Sequence, residues 1–253
     1  MKRVSISALA MCLAVKGMAV TAGAEALEFD QETRDALHGE IRDYLLSNPD
    51  IILEMLGIIE ERRNQAEEDR DKQLFAAYRE QITDDGVSFV GGNPDGDVTL
   101  VEFLDYRCGY CRRAHPEIAR LLEDDGNIKW IVKEYPILGP ESVFAAKMAV
   151  GTLLSLGGDA YAALHDTLMT YPGPINRASL EVIAGQSGLD ALAVETAMQD
   201  PQVDSHIRSI RELGRALGVS GTPTFIVGET FVRGFVPKAD LQRLVDATRT
   251  GER

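Results

Sequence analysis

The chain has 253 residues, of which 45% are hydrophobic, so it is long enough to bury a core without disulfides as its scaffold. Its formal net charge of −14 comes from 26 basic and 40 acidic residues, and no cluster of Lys and Arg stands out. No nucleic-acid partner is therefore expected, since binding phosphates requires such a cluster. The acidic excess favours solubility rather than a particular partner.

The first residues have the parts of an export signal. Lys2-Arg3 precedes an apolar stretch from Val4 to Val20, and Ala22-Gly23-Ala24 follows as an A-x-A cleavage site. Lys16 interrupts the apolar stretch, which makes it a poor membrane anchor because about 20 apolar residues are needed to span a bilayer. We expect residues 1–24 to be a signal peptide and the mature protein to be exported.

Only one pair of cysteines remains after that cleavage, because Cys12 lies in the predicted signal. Cys108 and Cys111 are separated by Gly109 and Tyr110. A disulfide between residues so close in sequence closes too small a loop to stabilise a fold appreciably. The pair therefore indicates chemistry rather than structure.

The segment of residues 25–85 has a helical pattern throughout. Asp30 is placed to cap a first helix with one apolar stripe, and Asn48-Pro49 predicts its end and a new start. Residues 51–59 are apolar on nearly every side of the second helix, which predicts a homo-oligomer formed through residues 27–59. The alternative is that this segment packs on the catalytic domain of its own chain.

A charged stretch separates that segment from the next domain. Residues 60–73 contain no large apolar side chain, which is typical of a solvated helix or a mobile linker. We place the domain boundary at 85/86, after Asp84-Asp85.

Residues 86–253 predict an α/β domain. A β-rich stretch from Val98 to Leu104, a helix from Cys111 to Leu122 and a strand from Ile128 to Tyr135 make a β-α-β unit, which implies a parallel pair with a right-handed crossover. Helical patterns fill about 140–217. A hairpin, Thr224–Val227 and Thr230–Arg233 around a Gly-Glu turn, precedes a last helix. This order is the thioredoxin fold with a helical insertion, preceded by an all-α N-terminal segment.

The cysteine pair lies where a strand gives way to a helix. A sulfur at a helix N-terminus is stabilised as a thiolate by the unpaired amides and the helix dipole. Cys108 is therefore the predicted nucleophile. Cys111, about one turn into the helix, is the predicted resolving thiol, while Gly109 and Tyr110 tune the loop between them.

Other uses of a C-x-x-C pair are less consistent with the sequence. Zinc requires about four ligands, and the four histidines show no ligand spacing, so no metal or other cofactor is expected. Haem attachment requires His after the second cysteine, where this chain has Arg112. A Cu(I)-binding dithiol remains an alternative, because thiolates favour that soft ion. The histidines are His38, His115, His165 and His206.

Glu102 is the one acid on an otherwise apolar face of the strand before the cysteines. Burial would raise the pKa of its carboxyl and suit it to proton transfer with the dithiol. The alternative is an exposed acid at the end of the strand. Lys133, on the neighbouring strand, is a candidate partner of this acid or else a surface residue.

Thr222-Pro223 opens the strand of the predicted hairpin. A proline there is a place for a cis peptide bond, and in a thioredoxin-type site this loop offers its backbone to a substrate chain. An ordinary trans turn is the alternative.

Residues 87–250 resemble the DsbA family of thioredoxin-fold periplasmic proteins, on the stretch from Val101 to Cys111, the helical insertion and Thr222-Pro223. The resemblance implies that Cys108 attacks, that Cys111 resolves, that Glu102 is the buried acid and that Thr222-Pro223 is the cis-proline pair. Gly109-Tyr110 and Thr222 differ from the family's oxidase and resemble the disulfide isomerases. With its N-terminal helices the chain resembles the ScsC branch, some members of which are trimeric isomerases.

We therefore expect a periplasmic thiol–disulfide oxidoreductase, of the isomerase or reductase kind, that acts on disulfide-containing exported proteins. A membrane redox partner would keep the pair reduced. One alternative is a DsbA-like oxidase, which a membrane partner would keep oxidised. Another, from a different class, is a non-catalytic holdase or Cu(I)-binding module that uses the apolar helices and the dithiol.

Overall fold

The computed structural model describes residues 30–251. The predicted signal peptide, residues 1–24, lies outside the described residues. The chain divides into two compact units, one up to Ile59 and one from Glu60 onward. Among the described helices, none is both long enough and apolar enough to cross a membrane.

The first unit is built from helices. The first helix, α1 (Gln31–Ser47), begins after Asp30, whose carboxylate accepts a hydrogen bond from the Thr33 amide at 2.8 Å. The predicted cap is therefore confirmed. The second helix, α2 (Asp50–Thr83), begins in this unit and continues into the next one.

The apolar side chains of the first unit are exposed. α1 has no buried residue, and the buried residues of α2 all lie beyond Glu60. Leu53 and Leu56 are 67% and 56% exposed. The described residues of this unit therefore have an exposed apolar surface, made up of Leu37, Ile41, Tyr44, Leu46, Ile52, Leu53, Met55, Leu56, Ile58 and Ile59.

The second unit contains a five-stranded sheet in the order β1-β3-β2-β4-β5. β2 and β3 are parallel, and every other neighbouring pair is antiparallel. Four strands lie where the sequence predicts them. β1 was not predicted, because it is short and half of it is glycine, which leaves little alternation to read. The strands are β1 (Phe89–Gly92), β2 (Val98–Leu104), β3 (Ile128–Glu134), β4 (Thr224–Val227) and β5 (Thr230–Arg233).

Seven helices of this unit follow β1 in the chain. α3 makes the crossover between β2 and β3, and α4 to α8 form the predicted insertion. The hairpin turn contains Gly228, with a φ of 59° that favours glycine. These helices are α3 (Gly109–Asp125), α4 (Pro140–Leu156), α5 (Gly158–Thr170), α6 (Leu180–Gln186), α7 (Ala191–Ala197), α8 (Pro201–Ala216) and α9 (Lys238–Thr250), with a short 3-10 helix at Arg177–Ser179.

The sheet has a separate apolar core on each face. One core contains Leu100, Leu104 and the inward side of α3. The other contains Val101 and Phe103 of the same strand, since successive side chains of a strand point to opposite faces. The central strand is therefore buried on both sides, as expected for a strand with parallel pairing.

The last turns of α2 belong to the second core. Phe75 and Ile82 are buried there beside α8, and Asp71 forms a two-pronged ion pair with Arg233 of β5, at 2.7 and 2.9 Å. The unit boundary consequently lies at Ile59 rather than at the predicted 85/86. Residues 60–73 are helical, which agrees with the first of the two readings of the charged stretch.

Candidate active site

The loop between β2 and α3 carries Cys108, and Asp105 holds its backbone in place. One carboxylate oxygen of Asp105 accepts from the Arg107 amide at 2.9 Å, and the other accepts from the amides of Ile137 and Leu138 at 2.8 and 3.0 Å. The Asp105 carbonyl also accepts from the Cys108 amide at 2.9 Å. The buried aspartate thus satisfies backbone groups that would otherwise be unpaired.

Cys108 is the residue that precedes the first turn of α3. It has extended backbone angles, φ −75° and ψ 115°, and is 8% exposed. A hydrogen bond from the Cys111 thiol, helped by the amides of Cys111 and Tyr110, lowers the pKa of Cys108 to about 5, against the effect of burial. The sulfur is therefore a thiolate at neutral pH, as the helix-start position predicts.

Cys111 differs from Cys108 in its exposure. It lies one turn inside α3 and is fully buried. Burial, followed by its bond to Cys108, raises the pKa of the Cys111 thiol. Only Cys108 combines thiolate character with access to solvent, so the geometry distinguishes an attacking sulfur from a resolving one.

The loop before β4 touches the first sulfur. The Thr222–Pro223 peptide bond is cis, so the cis arrangement is confirmed rather than the ordinary turn. Cys108 Sγ lies 3.0 Å from the Thr222 carbonyl oxygen, to which the sulfur donates a hydrogen bond when it is protonated. The loop is held by the Thr224 hydroxyl, which donates to the Gly221 carbonyl at 2.8 Å, and by the Pro223 carbonyl, which accepts from an amide beyond β5.

Glu102 lies beneath this pair and is only 2% exposed, which rules out the exposed alternative. Neither its Oε1 nor Trp130 Nε1 makes a hydrogen bond of normal geometry among the described residues, although the nearby Trp130 side chain lowers the pKa of Glu102 against the effect of burial. Burial, together with the charges of Glu134 and Cys108, raises the pKa of Glu102 to about 8. A carboxyl group that is near its pKa at neutral pH can either donate or accept a proton.

Lys133 does not pair with Glu102, contrary to the expectation. In the parallel register Glu102 is opposite Val132, and Lys133 is opposite Phe103, so the lysine belongs to the other face of the sheet. Nor is it a surface residue: it is fully buried, and its Nζ donates to Asp85 Oδ2 at 2.8 Å and to the Gln81 carbonyl at 2.9 Å.

The Lys133 pair has a structural role. Burial raises the pKa of the Asp85 carboxyl, but the charge of Lys133 and its hydrogen bond outweigh this effect. The pKa of Asp85 is therefore held well below its usual range. Asp85 also accepts hydrogen bonds from Val87 and Ser88, at 2.6 to 3.0 Å. The ion pair therefore joins the end of α2 to the sheet, away from the dithiol.

A buried polar network, which the sequence analysis did not find, lies on the same face as Glu102. Glu134 Oε1 accepts from the hydroxyls of Tyr106 and Tyr161 at 2.6 and 2.7 Å, and the Tyr106 hydroxyl also contacts His165 Nδ1 at 2.9 Å. Burial raises the pKa of Glu134 to about 8. Glu134 lies within a predicted strand, but its partners are distant in the sequence.

Arg112 is a second residue that sequence reasoning missed. Its guanidinium donates to the carbonyls of Tyr106 at 2.8 Å, Tyr171 at 2.6 Å and Leu168 at 3.3 Å. It thereby fastens the start of α3 to the end of α5. The only local signal was its position directly after Cys111.

The rim of the site is open and aromatic. Tyr110 is 58% exposed, and the Arg113 guanidinium lies over the rings of Tyr110 and Phe235, at 5.9 and 4.7 Å. A Cβ added at Gly109 would meet nothing within 4 Å, so there is open space beside this residue, next to the exposed Tyr110.

Two family models match the chain. The family described as Thioredoxin matches residues 83–247, and the one described as Copper resistance protein ScsC N-terminal domain matches residues 34–66. The chain belongs to the thioredoxin family. The predicted fold is thereby confirmed, and residues 34–66 are similar to the N-terminal domain of ScsC.

Solved structures with the same fold include thiol–disulfide proteins. A thioredoxin-like oxidoreductase from Silicibacter pomeroyi is 40% identical, with a TM-score of 0.64 over 68% of this chain and 98% of that one. The thiol-disulfide exchange protein alpha-DsbA2 from Wolbachia pipientis is 32% identical, with a TM-score of 0.68 over 72% and 97%.

Among curated relatives, the probable thiol:disulfide interchange protein DsbC of Bordetella pertussis is 37% identical over 81 residues, 32% of this chain and 27% of that protein. The relatives that match over more of this chain are named Na(+)/H(+) antiporters. The chain spans only 21 to 28% of the length of those antiporters.

The thiolate character of Cys108 predicts the pH dependence of its alkylation. In the reduced protein, the rate of reaction with iodoacetamide should be half-maximal near pH 5 and level above pH 7, because the thiolate is the nucleophile. The variant Cys108→Ser, which keeps Cys111 alone, should react slowly over the same range. A wild-type rate that still rises between pH 7 and 9 would contradict the low pKa.

The buried acid predicts a pH dependence of stability. The pKa of Glu102 is about 8 in the folded protein and 4.5 when unperturbed, so the unfolded state releases a proton that the folded state keeps between these values. The contribution of this group to the free energy of unfolding is therefore largest below pH 4.5 and is lost as the pH rises from 4.5 to 8. Glu102→Gln should therefore raise the free energy of unfolding at pH 7 by up to about 3 kcal/mol.

Urea denaturation of the reduced protein at pH 5, 7 and 9 measures this effect. The variant should differ least from the wild type at pH 5 and should show a weaker fall in stability with pH. Glu123→Gln, an exposed substitution on α3, is the matched control and should leave the pH dependence as it is. An unchanged pH dependence in Glu102→Gln would show that this acid is not the buried titrating group.

Proposed function

We propose that this protein is a periplasmic thiol–disulfide oxidoreductase that isomerises or reduces disulfides of exported proteins. The proposal depends on one observation: a thiolate-forming Cys108 at a helix start, 3.0 Å from the carbonyl oxygen of Thr222. A periplasmic location agrees with the predicted export signal and with the resemblance to DsbA and ScsC proteins.

The first step is attack on a substrate disulfide. The Cys108 thiolate forms a bond to one substrate sulfur, the substrate S–S bond breaks, and the other substrate sulfur leaves as a thiolate. The backbone of Thr222 and Pro223 lies beside the reacting sulfur and is suited to hold the substrate chain as an added strand. The open rim beside Gly109 and Tyr110 leaves room for that chain.

The mixed disulfide has two outcomes. In isomerisation a second substrate thiolate attacks the mixed bond and releases Cys108 unchanged. In reduction Cys111 attacks Cys108 Sγ, which releases the substrate thiolate and leaves a Cys108–Cys111 disulfide. Cys111 must first lose its proton, and the Glu102 carboxylate is the acceptor that we assign to this step.

The preference for isomerisation over oxidation follows from the residues near the dithiol. Gly109-Tyr110 and Thr222 resemble the corresponding residues of disulfide isomerases, and the match to a Bordetella protein named DsbC supports that preference. An isomerase must be kept reduced, so a membrane reductant is the partner that we propose.

Refolding of a protein with scrambled disulfides tests the function. The reduced wild type should restore activity to that substrate, whereas Cys108→Ser should fall to the uncatalysed rate because no mixed disulfide forms. Cys111→Ser should accumulate a mixed disulfide that is visible on non-reducing gels. Equal refolding by wild type and Cys108→Ser would contradict the enzyme proposal and favour a holdase.

A parallel reaction with a fully reduced substrate separates isomerase from oxidase. The oxidised protein should form native disulfides in that substrate more slowly than the reduced protein corrects scrambled ones. The opposite order of rates would assign the protein to the DsbA-like oxidases.

We also propose that the protein is a homo-oligomer formed through residues 27–59. The apolar side chains of α1 and the start of α2 are exposed in the single chain, and exposed apolar surface of this kind marks interaction sites. An oligomer would place several dithiols around one substrate, which suits repeated cleavage and rejoining of its disulfides.

Sedimentation of the mature chain tests this assembly. The wild type should sediment as an oligomer, and Leu56→Glu should dissociate it because a charge cannot be buried in an apolar contact. Asn64→Glu adds the same charge at an exposed position beyond the apolar stretch and should leave the assembly intact. A monomeric wild type would contradict the proposal.

A further inference from the structure

Two histidines that are far apart in the sequence lie together beside the active-site helix. His115 is on α3, one turn beyond Cys111, and His165 is followed by Asp166 on α5. One ligand atom from each of these three residues lies within 4.8 Å of the other two. His115 Nε2 is 3.2 Å from Asp166 Oδ1.

The hydrogen bonds of Tyr106 determine which nitrogen of His165 is free. The single hydroxyl hydrogen of Tyr106 goes to Glu134 Oε1, at 2.6 Å, so the Tyr106 oxygen accepts from His165 Nδ1, at 2.9 Å. His165 is therefore protonated on Nδ1 and has its lone pair on Nε2. That nitrogen is buried and has no hydrogen-bond partner among the described residues.

A buried acceptor without a partner requires an explanation. Histidines that bind metals typically donate their second ring N–H to an oxygen acceptor that fixes the tautomer and the ring orientation. The Tyr106 oxygen, held in turn by Glu134, is such an acceptor for His165. The nitrogen that remains, Nε2, is left in the form that binds a cation.

We propose that His115, His165 and Asp166 form a binding site for one divalent first-row cation, with Zn²⁺ as its representative. Two imidazoles, one carboxylate and an open fourth position are a ligand set that Zn²⁺ accepts, and the absence of a thiolate from this set disfavours Cu(I). The site is separate from the dithiol.

One of the three separations is already close to that of a zinc site. Tetrahedral zinc with bonds of about 2.1 Å keeps neighbouring ligand atoms about 3.4 Å apart; His115 Nε2 and Asp166 Oδ1 are 3.2 Å apart, and the other ligand atoms are within 4.8 Å of one another. The side chain of Asp166 is 70% exposed, so its carboxylate can turn toward the ion. Binding would link α3, which carries the dithiol, to α5 of the insertion, and would stabilise the folded state.

Titration of the mature chain with ZnCl₂ tests the site. The chain is first oxidised, so that Cys108 and Cys111 form a disulfide and offer no thiolate. Calorimetry should show one Zn²⁺ per chain, and His115→Gln and Asp166→Asn should each weaken binding at least tenfold. Co²⁺ should give visible d–d absorption without a thiolate charge-transfer band.

Two substitutions serve as matched controls. His38→Gln removes an exposed histidine of α1, and Asp159→Asn removes an exposed aspartate from the first turn of α5. Both should bind Zn²⁺ as the wild type does. Zn²⁺ should also raise the thermal midpoint of the wild type and of both controls, but of neither site variant.

Three results would overturn the proposal. In the first, the oxidised wild type binds no Zn²⁺. In the second, His115→Gln and Asp166→Asn both bind Zn²⁺ as tightly as the wild type. In the third, His38→Gln loses as much Zn²⁺ affinity as the site variants do. Circular dichroism establishes that each variant is folded. Because Asp166 is exposed, Asp166→Asn keeps the test decisive even if His115→Gln does not fold.

Discussion

The contact between Cys108 Sγ and the Thr222 carbonyl joins two loops that are 114 residues apart in the chain. Both loops are attached to β2: one follows its last residue, and the other leads into β4, which pairs with it. The antiparallel register places Thr224 opposite Phe103, so the two loops emerge at the same end of the sheet. The reactive sulfur and the backbone edge that we assign to substrate binding therefore depend on the pairing of β2 with β4.

The face of the sheet beneath α3 contains buried acids among apolar side chains. Burial raises the pKa values of Glu102 and Glu134 to about 8, since an apolar environment disfavours the charged form. Glu134 Oε1 accepts hydrogen bonds from two tyrosine hydroxyls. Glu134 Oε2 and Glu102 Oε1 both lack a hydrogen-bond partner among the described residues. The first acid therefore belongs to a network of side chains, and the second is the one to which we assign proton transfer with the dithiol.

Much of the fold follows from local patterns. The alternation of Val98–Leu104 predicted both the strand and the burial of Glu102, because side chains of a strand alternate between two faces. The hairpin around Gly228 was predicted from its turn residue, and the capping position predicted the role of Cys108. β1 was not predicted because two of its four residues are glycines and because it forms only by pairing with β3, which is distant in the sequence.

Other features depended on which elements meet. The charged stretch of residues 60–73 fitted either a solvated helix or a mobile linker, and α2 continues through it to Phe75 and Ile82, whose burial requires α8 and the sheet. Lys133 looked like a partner of Glu102, because adjacent strands suggest adjacent side chains. In the observed register Lys133 is opposite Phe103, the residue after Glu102, so the two side chains lie on opposite faces of the sheet.

By itself the sequence determined that the two cysteines of the dithiol are unequal. Two cysteines one turn apart at a helix start have unequal access to solvent and to helix amides, and both properties come from residues close together in the chain. Only the tertiary structure decided the partner of Lys133 and the meeting of His115 with His165. Those contacts depend on strand register and on how α5 packs against α3, and local patterns carry no information about either.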